Sequence, residues 1–147
     1  MEKILIVSTC VLNFLLFGCT IRYTANPISI PKVDRKEICV IEAEAYGNFL
    51  VSYKKALEEK GFSVKLLSGE SDVAACPLSS TYQSVWSWDL VMYLSRAQIF
   101  VFRNGILGGN ALYASSGLAL KKYGRTYKKI AKMVDQLFPD TEKQDKK

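Results

Sequence analysis

Residues with types and spacing suited to catalysis are sparse in this 147-residue chain, which contains no histidine. Serine–histidine and cysteine–histidine mechanisms are therefore excluded, because imidazole is the commonest general base in such sites. Glu42 and Glu44 would share one face at a strand end and could form an acid/base pair, although two solvated carboxylates are the simpler explanation. Asp89 stands in an apolar segment and should find a partner, such as Arg96 or a backbone amide. We expect no enzymatic activity, no cofactor and no metal site.

Cys19 ends a segment that is typical of a bacterial lipoprotein signal. A short charged start precedes an almost unbroken apolar run over residues 4–17, and a small residue comes directly before the cysteine. Leu16-Phe17-Gly18-Cys19 resembles a lipobox, in which the thiol receives diacylglycerol, the signal is cleaved and the new amine is acylated, for example with palmitate. The apolar run is shorter than the ~20 residues of a spanning helix, and a plain signal peptide or a short membrane anchor is the alternative. We predict that residues 1–18 are a lipoprotein signal peptide and that Cys19 is lipidated.

Lipidation at Cys19 would attach the protein firmly to a membrane, because several acyl chains bind a bilayer far more tightly than one does. Thr20 follows the cysteine. In enterobacterial lipoproteins an aspartate at this position favours the inner membrane, so its absence resembles the outer-membrane class. We predict a cell-envelope protein that faces the periplasm, anchored in the outer membrane.

Two cysteines remain once Cys10 leaves with the signal and Cys19 carries lipid, namely Cys39 and Cys76. In an oxidising compartment such a pair favours one structural disulfide. A loop of this length would add roughly 4 kcal/mol by restricting the unfolded chain. Two separate buried thiols are the alternative, and the absence of Cys-x-x-Cys spacing argues against a redox-active pair.

The elements that must position these residues form one domain. Residues 19–36 show little periodicity and contain Pro27 and Pro31, so we expect a lipid-anchored tether that lifts the domain off the membrane. A single α+β domain is predicted over residues 37–139. Residues 140–147 mix acids with lysines and contain no apolar side chain, which is typical of a disordered tail.

The periodicity predicts the element order β-α-β-β-β-β-α, with a mixed or antiparallel sheet and two helices packed on one face. A short apolar strand at 38–41 is followed by a helix that starts near Asn48 and ends at Gly61. Asn104-Gly105 is a strong hairpin signal between two apolar strands. Gly105 to Gly109 favours a bulge in that hairpin over a phosphate-binding loop. The last helix is predicted from about Lys121 to Phe138.

Two sets of side chains are candidate binding surfaces, and each also has a purely structural explanation. Aromatic rings that alternate along a predicted strand could form a platform for a ligand, or could fill the core. This set is Tyr82, Trp86 and Trp88. Cations that recur along the last helix could attract anionic partners, or could be a solvated face. This set is Lys121, Lys122, Arg125, Lys128, Lys129 and Lys132.

The segment from about Glu37 to Pro139 carries a family resemblance. Cys76-Pro77-Leu78, Tyr82 and Trp86-Ser87-Trp88-Asp89-Leu90, followed by a hairpin and a lysine-rich helix, resemble a group of small Gram-negative envelope lipoproteins of uncharacterised function. The order of elements is also similar to periplasmic domains like the amino-terminal domain of TolB. Neither resemblance implies a catalytic residue, because a fold alone does not fix a function.

These observations predict a non-enzymatic interaction or structural module in the periplasm. Its partners would be the membrane, through the lipid, and an envelope protein or an anionic envelope component. Nucleic acid is not an expected partner in this compartment. The alternative is a small-molecule or glycan-binding lipoprotein that uses the aromatic face of the sheet.

Overall fold

The computed structural model of this chain describes residues 20–30, 35, 37–43, 48–117 and 119–140. The elements are β1 (Ile21–Asn26), β2 (Glu37–Ile41), α1 (Phe49–Glu59), β3 (Ser63–Leu67), β4 (Leu78–Asp89), β5 (Val91–Arg103), β6 (Ile106–Ser115), a 3-10 helix (Leu120–Tyr123) and α2 (Thr126–Leu137).

The strands form one six-stranded sheet in the order β1-β6-β5-β4-β2-β3. β2 runs parallel to both β3 and β4, and the remaining neighbours are antiparallel. The parallel β2–β3 pair requires a crossover, which α1 supplies. The predicted α+β class, with a mixed sheet and two helices, is confirmed, and the predicted order holds from β2 onward.

β1 corrects the tether predicted over residues 19–36. Ile21–Asn26 pairs antiparallel with β6, so that Ile21 lies opposite Ser115. Residues of this strand alternate between half-buried and exposed, beginning with half-buried Ile21 and exposed Arg22. Ile28 is also buried, in the core. The tether prediction is wrong over residues 21–26. It gave more weight to the prolines that follow than to the alternation of side chains along these six residues.

The core lies between one face of the sheet and the two helices, which lie side by side. Phe49 of α1 stacks on Tyr82 of β4, with ring centroids 4.9 Å apart. The Tyr53 hydroxyl lies 2.6 Å from that of Ser80, so the buried polar groups of helix and strand satisfy each other.

The β5–β6 hairpin turns at Asn104 and Gly105, which both have positive φ, as an Asn-Gly turn requires.

The predicted bulge in the β5–β6 hairpin is confirmed at Gly108. Val101 lies opposite Gly109 whereas Phe102 lies opposite Leu107, which leaves Gly108 as the extra residue. A Cβ at Gly108 would come within 2.7 Å of the Ile28 side chain. A side chain at this position would require the end of the Ile28 side chain to shift.

The final helix is shorter than predicted. The 3-10 helix ends at Tyr123, and α2 begins at Thr126 after Gly124 and Arg125 in extended conformations. Gly124 interrupts the helical pattern because glycine is a poor helix former. The turn is also tight here, since a Cβ added at Gly124 would lie 3.2 Å from the Lys121 carbonyl oxygen.

The predicted disulfide between Cys39 and Cys76 is confirmed. It links β2 to the segment that precedes β4, with 6.2 Å between the two Cα atoms.

Asp140, the first residue of the predicted tail, forms an ion pair with buried Arg35 at 2.8 Å. Residues 141–147 lie outside the described residues.

Candidate functional site

The basic residues of the final segment do not form one surface. Lys121, Arg125, Lys128 and Lys132 are exposed, whereas Lys122 and Lys129 are only 4% and 5% exposed. The prediction of a six-residue basic surface is therefore wrong for these two lysines. Lys129 lies on the buried face of α2, one turn before Met133. Lys122 turns toward Asp89, with which it forms an ion pair.

The exposed cations border an open groove of about 390 Å³ between β1 and α2, which we call the basic groove. It is lined by Ile21, Tyr23, Lys121, Gly124, Arg125, Lys128, Lys129 and Lys132. Five of these eight lining residues are cationic and none is a carboxylate. Within the described parts of the chain, no ion pair neutralises any of these cations. The groove is therefore a concentrated positive site.

Tyr23 forms the wall of the groove that β1 contributes. The Lys132 ammonium lies 4.2 Å from the centre of its ring, a favourable cation–π distance. The ring also packs against Tyr113, with centroids 5.1 Å apart. Burial, followed by the neighbouring Tyr113, raises the pKa of Tyr23 to about 12. Its phenol is therefore protonated at neutral pH and can donate a hydrogen bond to an anion.

Lys129 lies at the floor of the groove. Its ammonium donates to the carbonyl oxygens of Leu94, at 3.4 Å, and of Lys122, and it lies 5.2 Å from the centre of the Tyr113 ring. Burial lowers the pKa of Lys129, since removal from water disfavours the charged form. The carbonyls and the ring hold the ammonium in place without neutralising it.

The start of α2 is electrostatically unfavourable in the absence of a bound anion. Arg125 at the N-cap makes no side-chain capping bond, and the first turn contains no acid. Cations here face the positive end of the helix dipole, and Lys128 and Lys132 form a like-charged i,i+4 pair. Each effect costs only a few tenths of a kcal/mol. An anion bound in the groove would offset each of these unfavourable interactions.

Asp89 supports the end of the β4–β5 hairpin. Its carboxylate accepts hydrogen bonds from the Lys122 ammonium at 2.6 Å and from the Tyr123 hydroxyl at 2.7 Å. These bonds, the Lys122 bond above all, lower the pKa of Asp89. The sequence suggested Arg96 as the partner of Asp89, and this prediction is wrong. The β4–β5 hairpin extends past the end of β6, which brings Asp89 to the 3-10 helix. The arrangement is that of a structural ion pair.

The three aromatic residues of β4 do not form a joint platform. Tyr82 is 2% exposed and stacked in the core, Trp86 packs half-buried against the core, and Trp88 is 70% exposed. The predicted platform is therefore wrong, because β4 leaves the shelter of the helices partway along its length. Of these three rings, Trp88 is the one that is largely exposed.

Other groups that could bear chemistry are occupied or lie outside the described residues. Glu37, Cys39 and Cys76 lie close enough together to suggest a metal site. Because the two sulfurs are bonded to each other, the site lacks the thiolates that a metal would require. Glu42 is exposed at the end of β2, while Glu44 and Cys19 lie outside the described residues.

Neither helix in the described ranges combines the length and the apolar character needed to cross a bilayer.

Sequence reasoning found the cations of the groove but missed its β1 wall. The signal was present as the alternation of Ile21, Tyr23 and Ala25 with polar neighbours.

No protein-family model and no curated protein matches this sequence. Among solved structures, the chain is similar to the PelC dodecamer from Paraburkholderia phytofirmans, at 11% identity and a TM-score of 0.49, over 78% of this chain and 92% of that one. It is also similar to a dodecamer of a single-residue PelC variant from the same organism, at 10% identity and a TM-score of 0.47, over 79% of this chain and 91% of that one. Identities this low transfer neither residue roles nor an activity to this chain.

Proposed function

We propose that this protein is a lipid-anchored, non-enzymatic interaction module of the cell envelope that binds an anionic envelope component in the basic groove. The observation that carries the proposal is a groove with five cationic lining residues and no carboxylate. A site of this kind raises the local concentration of anions and binds them more tightly at low salt.

The lining chemistry favours an extended polyanion over a small metabolite. The cations are spaced along the groove from Lys121 to Lys132, and the groove is open to solvent. A chain that carries repeated carboxylates, sulfates or phosphates could contact several of them at once. The neutral phenol of Tyr23 and the apolar side chain of Ile21 offer a surface for the uncharged part of such a ligand.

Lipidation at Cys19 is the second part of the proposal. It is supported by the signal-like segment over residues 1–18 and by the cysteine that follows Gly18. Growth of cells with labelled palmitate tests it: the protein should acquire label, and a Cys19→Ser variant should not. Absence of label on the unmodified protein would refute the anchor without bearing on the groove.

Binding to a model polyanion tests the groove. The full chain in detergent micelles is titrated with dextran sulfate and with uncharged dextran. We expect binding to dextran sulfate alone, weakening as salt is added. A Lys128→Glu/Lys132→Glu variant should bind at least about tenfold more weakly, since reversing two contacting charges removes well over 1.4 kcal/mol.

A matched control separates the groove from net charge. Lys54 and Lys65 lie outside the groove, on α1 and β3, and a Lys54→Glu/Lys65→Glu variant changes the net charge by the same amount. This control should bind nearly as well as the unmodified protein. Equal weakening in both variants would refute a specific groove. Crosslinking in intact cells, with the same two variants, then identifies the native partner.

A further inference from the structure

The β4–β5 hairpin ends in a group of exposed apolar side chains, which we call the hairpin tip. Its members are Trp88, Leu90, Val91 and Met92, which are 70%, 82%, 52% and 44% exposed. Single exposed apolar residues are ordinary on soluble proteins, but a contiguous group that includes tryptophan is typical of an interaction site. These side chains stay exposed although the 3-10 helix contacts the hairpin through Asp89, and the basic groove does not include them.

Leu90 occupies a backbone conformation that suits leucine poorly. It turns the chain between β4 and β5 with φ of 62°, where glycine or asparagine is preferred. The neighbouring β5–β6 hairpin uses Asn104 and Gly105 at its own positive-φ positions. At this turn the chain therefore keeps a large apolar side chain that both the backbone conformation and the surrounding water disfavour, so Leu90 is a candidate for a contact outside this chain.

The hairpin tip lies at the same end of the sheet as Thr20, the first residue that the structure describes. The Ser116 amide donates to the carbonyl of Thr20, at the level where β6 ends. Arg96 of β5 pairs with Ala114, two residues before Ser116, so the hairpin continues for about three residues beyond the level of Thr20. At about 3.3 Å per residue the overhang is roughly 10 Å.

Cys19 is the residue next to Thr20 in the chain. One residue spans at most about 3.6 Å, so a lipid on Cys19 would hold Thr20 close to the membrane surface. An overhang of roughly 10 Å at the same end then extends past that surface. Because β1 starts at Ile21, no spacer separates the predicted lipid from the sheet.

The charges around the tip are compatible with an anionic bilayer. Between Asp72 and Asp135 the sequence contains one acid, Asp89, and Lys122 forms an ion pair with it at 2.6 Å. Lys121 and Arg125 are exposed beside the 3-10 helix that supports the hairpin. Exposed cations beside an apolar group that contains tryptophan match the headgroup and acyl boundary of a membrane.

We propose that the hairpin tip inserts into the headgroup region of the lipid bilayer that carries the Cys19 anchor, so that the domain rests on the membrane with its basic groove near the surface. The inference rests on the proposed function for the lipid at Cys19 and adds a second membrane contact, made by the folded domain itself. Insertion would bury the side chains of Trp88 and Leu90 and remove them from water.

Tryptophan fluorescence tests the insertion directly. The chain has two tryptophans, so a Trp86→Phe variant leaves Trp88 as the sole reporter. The full-length protein from cells is reconstituted into vesicles of equimolar phosphatidylcholine and phosphatidylglycerol, with or without brominated acyl chains. We expect a blue shift of the Trp88 emission on reconstitution, quenching by the brominated lipid, and loss of quenching by aqueous iodide.

Two further substitutions, in the Trp86→Phe background, separate insertion from folding. Leu90→Asn places a residue that tolerates positive φ at the turn, so the hairpin should remain folded while most of the bromolipid quenching is lost. Ile106→Asn is the matched control, because Ile106 is 74% exposed in the turn region at the opposite end of the sheet. This control should leave the quenching unchanged.

The outcomes distinguish this inference from the proposed function. If Trp88 stays open to iodide and unaffected by bromolipid while palmitate-labelled protein floats with the vesicles, insertion is refuted and the anchor stands. If Trp88 is shielded from both quenchers, another protein copy covers the tip and insertion is again refuted. If Cys19 carries no lipid yet Trp88 is quenched by bromolipid, the tip inserts unaided and the anchor is refuted.

Discussion

Removal of the Cys39–Cys76 disulfide should destabilise the domain by about 4 kcal/mol, most of it through the unfolded state. The two cysteines are 37 residues apart, and restricting a loop of that length lowers the entropy of the unfolded chain by an amount worth about 4 kcal/mol at 25 °C. A Cys39→Ala/Cys76→Ala variant removes the crosslink without placing hydroxyl groups at two buried positions. The sheet keeps β2 beside β4 in either case, because Cys39 also pairs with Ser79 across the ladder.

Equilibrium unfolding in urea measures this effect. With a slope of about 2 kcal/mol per molar urea, a loss of about 4 kcal/mol lowers the midpoint by about 2 M. Reductant should lower the midpoint of the unmodified protein to that of the variant and leave the variant unchanged. A midpoint shift below about 0.5 M, which is about 1 kcal/mol at that slope, would refute the loop-entropy reasoning. It would show that the unfolded chain is already restricted, or that the bond strains the folded state.

Three further results are expected. Leu57→Ala, at a fully buried position of α1, should cost about 2–5 kcal/mol in urea unfolding. Gly109→Ala should destabilise the domain, because the new Cβ would lie 2.9 Å from the Asn26 carbonyl oxygen. Hydrogen bonds from Arg35 and Lys60 hold the pKa of Asp140 below its ordinary value of 3.8. Their stabilisation is complete above that value and is lost as pH falls through the lower folded-state pKa, so the stability deficit of Asp140→Asn should shrink on acidification.

Matched controls accompany these three variants. Val51→Ala on the exposed side of α1 should change stability far less than Leu57→Ala does. Gly117→Ala meets no atom within 4 Å and should be tolerated, unlike Gly109→Ala. An Asp72→Asn variant, whose carboxyl lies outside the Arg35 cluster, is the control for losing an exposed carboxylate elsewhere. A deficit of Asp140→Asn that stays constant down to about pH 3 would contradict the assigned ion pairs.

The parts of the fold that could be predicted from sequence are those in which local signals agree. Asn104-Gly105 between two apolar runs specified the β5–β6 hairpin, and Gly61 marked the end of α1. The two cysteines specified their own pairing once Cys10 and Cys19 were assigned to the signal and the lipid. β1 was missed because the prolines after it were given more weight than its short alternation, and its partner, β6, lies about 90 residues away along the chain.

The candidate site was predictable in composition but not in geometry. The cations of the last segment were identified, but the burial of Lys122 and Lys129 was not predicted. Lys129 lies one turn before Met133 on the buried face of α2, which helical periodicity could have indicated. Lys122 turns toward Asp89 of the overhanging β4–β5 hairpin, a long-range contact that the sequence does not specify. The aromatic set failed for a related reason. Alternation places Tyr82, Trp86 and Trp88 on one face of β4, but only tertiary structure determines how far along the strand the helices cover that face.

The antiparallel pairing of β1 with β6 also has a mechanical consequence. A pulling force applied through Thr20, at the start of β1, runs along the strand, at right angles to its ladder of hydrogen bonds with β6. The pairs from Ile21 to Asn26 therefore share the load in shear and do not peel apart one after another. Beyond β1, the Ile28 amide donates to the carbonyl of Leu137, and Arg35 bonds to Phe138 and Pro139. Tension that enters at the start of β1 is thus passed directly to the end of α2.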